Sequence, residues 1–261
     1  MRSYRKRFKF KKKKSIFKSS NFWLSLVFFA FSCLVVYFLF FSRFFNIEKV
    51  FVVGQERLQK EEIENLVKNN LKRKILFFET KNIFLANLSD IEKKILSNFP
   101  QIFELKIKRK LPNSLIVELK ERKEIASFCH GECFLLDKEG VVFEKNQENL
   151  NLPKIENEDF EGEIKLGEKI LEKEILEKIL QAKNKIEELE IEIEKILVSK
   201  ENFYFFTKDG WKIILNPKED IDWQVKKLEV ALKEAIPKEK RGLLEYIDLR
   251  FGNFAFPKYK K

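Results

Sequence analysis

The sequence predicts an α+β protein that is anchored by a single N-terminal transmembrane helix. Three observations support this prediction: an uncharged apolar run near the N-terminus, amphipathic segments at helical spacing, and runs in which apolar and charged residues alternate. Apolar residues make up 44% and charged residues 36% of the 261 residues, a balance that is typical of folded domains. Eight glycines and six prolines are too few for a collagen-like or a low-complexity chain.

The net charge of +11 is concentrated at the start of the chain. Residues 1–20 contain ten Lys and Arg and no Asp or Glu, which leaves a formal charge of +1 for residues 21–261. A nucleic-acid-binding domain carries its basic residues on a folded face, whereas these lie in a short tail directly before an apolar run. We therefore expect the tail to meet anionic lipid headgroups, and we expect no nucleic-acid partner.

The apolar run covers residues 22–42 without a charged residue. About 20 apolar residues in a helix span the hydrocarbon core, and a core helix of a soluble protein seldom lacks a polar face over this length. We predict a transmembrane helix at 22–43 and a cytoplasmic tail at 1–21, because basic residues accumulate on the cytoplasmic side of a membrane. The rest of the chain is then extracytoplasmic. A cleaved signal peptide is the alternative, but its apolar region would be shorter.

The region after the span is predicted to form a small α+β domain at 45–124. Its apolar spacing indicates a strand, two helices and two further strands, at residues 45–54, 60–70, 88–99, 103–107 and 115–120. The last two strands flank a Leu-Pro-Asn-Ser turn and present one apolar face that can cover the helices. Glu118 and Glu121 fall on the polar side of the hairpin, so we expect both to be exposed.

The remaining residues, 125–261, are predicted to form a mixed or antiparallel β domain with two longer helices. Turn signals with Gly indicate hairpins, and apolar steps of three or four indicate helices. The predicted elements are hairpins at 134–143 and 203–215, a strand at 191–199, a helix at 168–189, a helix beginning at Pro217 behind an Asn216 cap, and an extended run at 244–257. The polar stretch 149–159 is expected to be a loop.

The chain contains no recognisable catalytic, cofactor-binding or metal-binding motif. It lacks a Gly-rich phosphate loop, a Gly-x-Ser-x-Gly elbow and a His-Glu-x-x-His helix, and it has a single His. Most Glu residues stand beside Lys at positions that are typical of a solvated helix face. The sequence therefore predicts no catalytic residues, no cofactor and no metal.

A Cys-His-Gly-Glu-Cys segment at 129–133 is the one local cluster of reactive residue types. A disulfide between Cys129 and Cys133 that closes a tight turn is the leading interpretation outside the cytoplasm. Two free buried thiols are the second interpretation. Zinc is a third, although four ligands are usual and Glu132 would have to complete a very short site. A nucleophilic cysteine beside His130 is a fourth interpretation.

Several stretches together resemble a known family: residues 46–54, 98–102, 107–115, 118–126, 134–143, 152–153 and 246–251. In the most specific one, a basic strand end is followed by Leu111-Pro112-Asn113-Ser114 and a return strand. The closing stretch contains Asp248-Leu249-Arg250-Phe251. With a basic tail, one membrane helix and two domains in this order, the chain resembles the FtsQ/DivIB family of bacterial cell-division proteins, whose first exported domain is a POTRA domain.

This resemblance implies a non-enzymatic scaffold of the divisome at the septal plasma membrane. Family members bind FtsB (DivIC) and FtsL, and through them the septal peptidoglycan synthase complex, while the POTRA domain recruits the protein to the division site. The FtsB contact resembles strand addition onto the last strand of the β domain, and an unpaired edge strand suits this mode. The implied partner-binding residues are Arg250, Phe251, Asn253, Phe254 and Phe256.

Two of these assignments have a plain alternative, since Phe254 and Phe256 would also serve simply to cover the core. A different class of function is also open. The chain would then be a membrane-anchored, extracytoplasmic cell-wall enzyme or thiol protein that uses Cys129, His130 and Cys133.

Overall fold

A computed structural model describes residues 20–75, 78–147 and 150–260. The predicted cytoplasmic tail at 1–21 falls almost entirely outside the described residues. The helices are α1 (Ser20–Phe41), α2 (Lys60–Asn70), α3 (Leu88–Asn98), α4 (Lys173–Glu187) and α5 (Ile221–Glu234). The strands are β1 (Lys49–Val53), β2 (Arg73–Ile75), β3 (Phe78–Thr80), β4 (Ile102–Lys110), β5 (Ser114–Glu121), β6 (Ala126–His130), β7 (Glu132–Leu136), β8 (Val142–Lys145), β9 (Lys154–Asn157), β10 (Ile193–Val198), β11 (Phe203–Thr207), β12 (Lys212–Leu215), β13 (Leu244–Asp248) and β14 (Phe256–Tyr259).

The predicted α+β class is confirmed, with one N-terminal apolar helix before the mixed elements. Among the described residues, the contacts separate into two compact units. The first unit contains residues 20–53, 60–91 and 107–117, and the second contains residues 54–59, 92–106 and 118–260.

Helix α1 is 22 residues long, carries no charged residue and buries none of its side chains. In the described part of the chain it is the helix that is long and apolar enough to cross a membrane. A core helix of this length would bury an apolar face against other elements, and α1 has none buried.

Strands β1, β5 and β4 form a three-stranded sheet in this order. The predicted strand and helix order is present, but a short antiparallel hairpin of β2 and β3 is inserted between α2 and α3. Each of these strands has only three residues, too few for an alternating pattern to be recognised in the sequence.

The expectation of an exposed Glu121 is wrong, and Glu118 is half-buried. The Glu121 carboxylate is buried and accepts backbone N–H groups of Glu56, Arg57 and Leu58, at oxygen–nitrogen distances of 2.7 to 3.0 Å. These donors replace the water that the charge loses on burial. The chain around residue 56 returns to the end of β5, which the local sequence pattern does not reveal.

A nine-stranded sheet, in the order β14-β13-β12-β11-β10-β9-β6-β7-β8, forms the rest of the fold. The pairs β6/β9, β9/β10 and β12/β13 are parallel and the remaining pairs are antiparallel, so the sheet is mixed. Helices α4 and α5 bury apolar residues in its core, which are Leu176, Ile179, Ala182, Ile186, Ile221, Val225, Leu228 and Leu232.

Three local expectations in this region are wrong. The stretch 149–159 is not only a loop, because β9 lies in the middle of the sheet with Ile155 fully buried. Both helices begin later than predicted: residues 167–171 bond to Gly140 and Val142 before α4 starts at Lys173, and Asp220 caps α5 by accepting the Trp223 N–H at 2.7 Å. The final extended run is two strands, β13 and β14, separated by a turn at 249–255.

Candidate functional site

Strand β14 forms one outer edge of the nine-stranded sheet. It pairs antiparallel with β13, where Tyr246 faces Lys258 and Asp248 faces Phe256. All four residues of β14 are exposed, and no other strand in the described ranges pairs with its outer side. An edge of this kind presents unpaired backbone groups that a further strand can complete.

The direction of the outer backbone groups follows from one hydrogen bond. The Lys260 N–H donates to the Leu243 carbonyl at 2.8 Å, so the backbone groups of Lys260 point toward the preceding strand. Because backbone groups of successive strand residues point to opposite sides, those of Tyr259 and Pro257 point outward. Proline has no N–H, and the outer row therefore offers the Tyr259 N–H and the carbonyls of Pro257 and Tyr259.

The turn before β14 is held in place by Lys227 on α5. The Lys227 side chain is buried, and its Nζ donates to the carbonyls of Leu249 at 2.5 Å and Gly252 at 3.0 Å. Burial lowers the pKa of Lys227, and the nearby Asp248 carboxylate opposes that shift. Gly252 has a φ of +52°, a left-handed conformation that favours glycine and reverses the chain here.

Arg250 at the start of this turn is bound to residues of its own chain. Its guanidinium donates to both carboxylate oxygens of Asp248, at 2.9 and 2.6 Å, and to Asn202 Oδ1 at 2.8 Å. Burial alone would raise the pKa of Asp248, but the hydrogen bonds from Arg250 outweigh this and hold it below its ordinary value. Arg250 therefore fixes the turn, while 27% of its side chain stays exposed.

Large apolar side chains are exposed in the turn before β14 and at the start of the strand. Phe251, Phe254 and Phe256 are 59%, 73% and 49% exposed, and Asn253 lies exposed between the first two. The Arg250 guanidinium stands 5.0 Å from the centre of the Phe251 ring. Three exposed aromatic rings within six positions of the chain favour an interaction surface over a solvated one.

An open groove of about 440 Å³ lies between α5 and this turn. Apolar side chains dominate its lining, among them Trp223, Val230, Phe254 and Ala255. Trp223, Val230 and Tyr259 are not among the site residues that the sequence predicts. A signal for the first two was present, because Trp223 and Val230 fall outside the apolar stripe that α5 buries.

The structure joins Cys129 and Cys133 by a disulfide across the β6–β7 hairpin, where the two residues face each other directly. The His130 ring packs edge-on against Phe160, with 5.3 Å between the ring centres. A sulfur in a disulfide is not a thiolate nucleophile or a metal ligand. Within the described ranges, no group of three or more His, Cys, Asp or Glu residues is placed to hold a metal ion.

These features define a class: a protein with one apolar N-terminal helix, a small α+β domain and a β-rich domain whose sheet ends in an open edge. Two family models match the chain, "POTRA domain, FtsQ-type" at residues 45–122 and "Cell division protein FtsQ/DivIB, C-terminal" at residues 129–250. The match at the C-terminal side ends at Arg250, so the exposed aromatic residues that follow lie beyond it.

Named relatives agree with these matches. Over 220 residues the chain is 31% identical to cell division protein DivIB of Clostridium tetani, covering 80% of this chain and 78% of that protein. It is 34% identical over 126 residues to DivIB of Clostridium botulinum, covering 48% of this chain and 46% of that protein. It is 30% identical over 105 residues to cell division protein FtsQ of Rickettsia bellii, covering 40% of this chain and 36% of that protein. The chain belongs to the FtsQ/DivIB family of cell division proteins, and the resemblance noted in the sequence is confirmed.

Proposed function

We propose that this protein is a non-enzymatic scaffold of the divisome that binds FtsB/DivIC and FtsL and thereby controls septal peptidoglycan synthesis. In this proposal α1 spans the plasma membrane once, and the basic tail stays in the cytoplasm because ten basic residues precede the helix. Residues 45–124 recruit the protein to the septum, and residues 125–261 bind the partner outside the cytoplasm.

The open outer edge of β14 is the observation that supports this proposal most strongly. A partner strand laid against it would pair with the Tyr259 N–H and with the carbonyls of Pro257 and Tyr259. Main-chain pairing of this kind supplies affinity whatever the partner's side chains are. It requires a partner segment that is free to become extended, as in a small bitopic protein.

The exposed rings beside the edge would supply specificity. Phe251, Phe254 and Phe256 offer exposed apolar area in the turn and at the start of β14, and Asn253 offers an amide. Aromatic residues in such positions often dominate binding energy once a partner excludes water from them. Arg250 contributes the exposed part of its guanidinium above Phe251 and keeps the turn in shape.

Affinity capture from the organism's own detergent-solubilised membranes tests the proposal. The baits are the full chain, a chain that ends at Arg250, and a matched control that lacks only Lys261. Ending at Arg250 keeps β13 and the Arg250–Asp248 ion pair, so the rest of the sheet stays intact. We expect the full chain and the control to retain a small bitopic coiled-coil protein and the shorter chain to lose it. Equal capture by all three baits would contradict the assignment of β14.

The double variant Cys129→Ser/Cys133→Ser separates the scaffold from the anchored thiol enzyme. A scaffold that binds through β14 keeps its partner when the β6–β7 disulfide is absent, because the hairpin lies at the other side of the sheet order. Retained capture and retained division in a complementation assay are therefore expected. Loss of division with an intact fold and an intact partner complex would favour the thiol enzyme.

A further inference from the structure

The end of helix α1 is fixed to the first folded unit by one buried side chain. Asn82 follows β3 and is 1% exposed. Its amide nitrogen donates to the carbonyls of Leu39, at 2.8 Å, and Phe40, at 3.1 Å. These carbonyls belong to the last turn of α1, where no intrahelical N–H is available to satisfy them. Asn82 is thus a C-terminal cap supplied from a part of the chain more than 40 residues away.

The loop that carries Asn82 is itself held from two sides. On one side, the Ile47 N–H donates to the Lys81 carbonyl at 3.0 Å, and the Ile83 N–H donates to the Phe45 carbonyl at 2.9 Å. On the other side, Arg109 of β4 donates to the carbonyls of Ile83 and Ala86, at 2.7 and 2.9 Å. The helix is therefore joined to the sheet by a chain of hydrogen bonds and not by a loose linker.

A group of phenylalanines covers this joint. The Phe45 ring lies between those of Phe38 on the helix and Phe84 on the loop, with 5.9 and 5.3 Å between the ring centres. Phe40 also meets Phe84 at 6.4 Å. Phe44 and Phe84 remain 60% and 38% exposed, so an apolar surface continues from the helix onto the folded unit.

The length of α1 places this apolar surface at the membrane boundary. A helix of 22 residues is about 33 Å long, against roughly 30 Å for the hydrocarbon core. The last turn of α1 and the phenylalanines beside it then lie at the level of the lipid headgroups, where aromatic rings are favoured. Arg43 and Lys81 are exposed on the same segments, and both can meet lipid phosphates.

We propose that the Phe44–Phe84 surface is a lipid-binding site, and that Asn82 positions it so that the first folded unit rests on the bilayer as a rigid continuation of α1. The occupant is the phospholipid bilayer that α1 crosses, because the surface is continuous with the helix. The burial of Asn82 within the protein accounts for its role, since a helix-end carbonyl that is shielded from water and left unsatisfied is costly. This inference depends on α1 being a membrane span but not on the partner site at β14.

Spin-label depth measurements on the full chain in phospholipid vesicles test the proposal. A maleimide nitroxide is attached to native Cys33 as the reference inside the bilayer, and to Phe44→Cys or Phe84→Cys in a Cys33→Ser background. Collisions of the label with O₂ and with a water-soluble nickel chelate report immersion. Residue 44 follows the helix directly and will lie near lipid in any case, whereas residue 84 is informative because it is remote in sequence. We expect the label at 84 to favour O₂ over the chelate.

The variant Asn82→Ala, measured with the label at 84, tests the positioning role. We expect it to lose this immersion while the label at 44 keeps it. Asn87→Ala is the matched control, because Asn87 is exposed and its side chain accepts the Asp90 N–H at the start of α3. Chelate access at 84 equal to that of a free aqueous label would overturn the lipid site. Unchanged immersion in Asn82→Ala would overturn the role of Asn82. An aqueous label at Cys33 would instead contradict the membrane span itself.

Discussion

The two outer edges of the nine-stranded sheet end in different ways. At the β8 edge, a covering segment, residues 165–171, bonds to the start of the strand at Val142 and to Gly140 before it. The Val142 N–H donates to the Glu168 carbonyl at 3.0 Å, and the Val142 carbonyl accepts the Gly167 N–H at 2.7 Å. Phe143 on this strand is fully buried. At the β14 edge nothing in the described chain covers the strand, and all four of its residues are exposed.

The segment that covers the β8 edge requires a glycine at residue 140. Gly140 has a φ of +79°, and a Cβ there would stand 1.9 Å from the Leu171 carbonyl oxygen. The covering segment can therefore approach only because residue 140 is glycine. An unpaired edge is a hazard that proteins usually cover. The covered edge at β8 contributes to the stability of the fold, and under the proposed function the open edge at β14 is the place for a partner strand.

The largest expected effect comes from the closed edge. Phe143→Ala removes a fully buried ring and leaves a cavity, so we expect the free energy of unfolding to fall by about 3–5 kcal/mol. Denaturant unfolding followed by tryptophan fluorescence measures this loss. Affinity for the partner should not change in the protein that remains folded. A loss of partner affinity in that folded fraction would contradict this difference between the two edges, because it would give the covered β8 edge a binding role.

The next effect concerns an exposed ring at the open edge. Phe254→Ala should leave stability within about 0.5 kcal/mol, as is usual for exposed positions. Partner binding should weaken by about 2 kcal/mol, roughly 30-fold, if Phe254 is a central contact. Leu166→Ala is the matched control, since Leu166 is an exposed apolar residue of the covering segment. Calorimetric titration measures both variants, and equal losses would show that Phe254 has no specific role.

A smaller effect is expected from the backbone of β14. Tyr259→Pro removes the outward N–H while the inward N–H of Lys260 is retained, so pairing with β13 should survive. Partner affinity should fall by about 1 kcal/mol, roughly fivefold, which is the usual net value of one hydrogen bond. Tyr259→Ala keeps the N–H and shows the contribution of the side chain alone. Equal affinity of the Pro and Ala variants would argue against strand addition.

The smallest effect is a pH dependence at the open edge. The pKa of Asp248 is lowered in the folded protein, so its ion pair with Arg250 stabilises the fold above the unfolded pKa of about 3.9. That contribution is lost as the pH falls through the lower, folded pKa. Asp248→Asn should therefore be less stable than the wild type at neutral pH, and the difference should shrink below about pH 4. Thermal unfolding at several pH values checks this, and a difference independent of pH would contradict it.

Local patterns in the sequence predicted much of the fold. Helix α1, the helices α2 and α3, and the β4–β5 hairpin follow from apolar spacing within one segment. Apolar spacing did not predict strands that are short or that pair with residues far away in the sequence. Strand β9 is an example, because its single buried residue is Ile155. Glu121 was placed wrongly for the same reason, because its three N–H partners lie more than 60 residues earlier.

The candidate site was only partly predictable. The motif around Arg250 and Phe251 suggested that the last strand of the chain lies at an edge of the sheet, and β14 does lie at an edge. Which edge is open depends on the order of the strands in the sheet, and that order cannot be read from a local sequence pattern. The covering segment, the outward N–H of Tyr259 and the buried Lys227 contacts all depend on tertiary structure. The assignment of Arg250, Phe251, Asn253, Phe254 and Phe256 to partner binding stays a prediction.

Amide hydrogen exchange at single-residue resolution is the most direct test of the open edge. The full chain in detergent is compared with and without the extracytoplasmic region of the DivIC-type protein encoded by the same genome. Without the partner, we expect the Tyr259 amide to exchange rapidly. On mixing, we expect strong protection of this amide and no change along β8. Binding without protection at Tyr259, or with new protection along β8 instead, would contradict strand addition at β14.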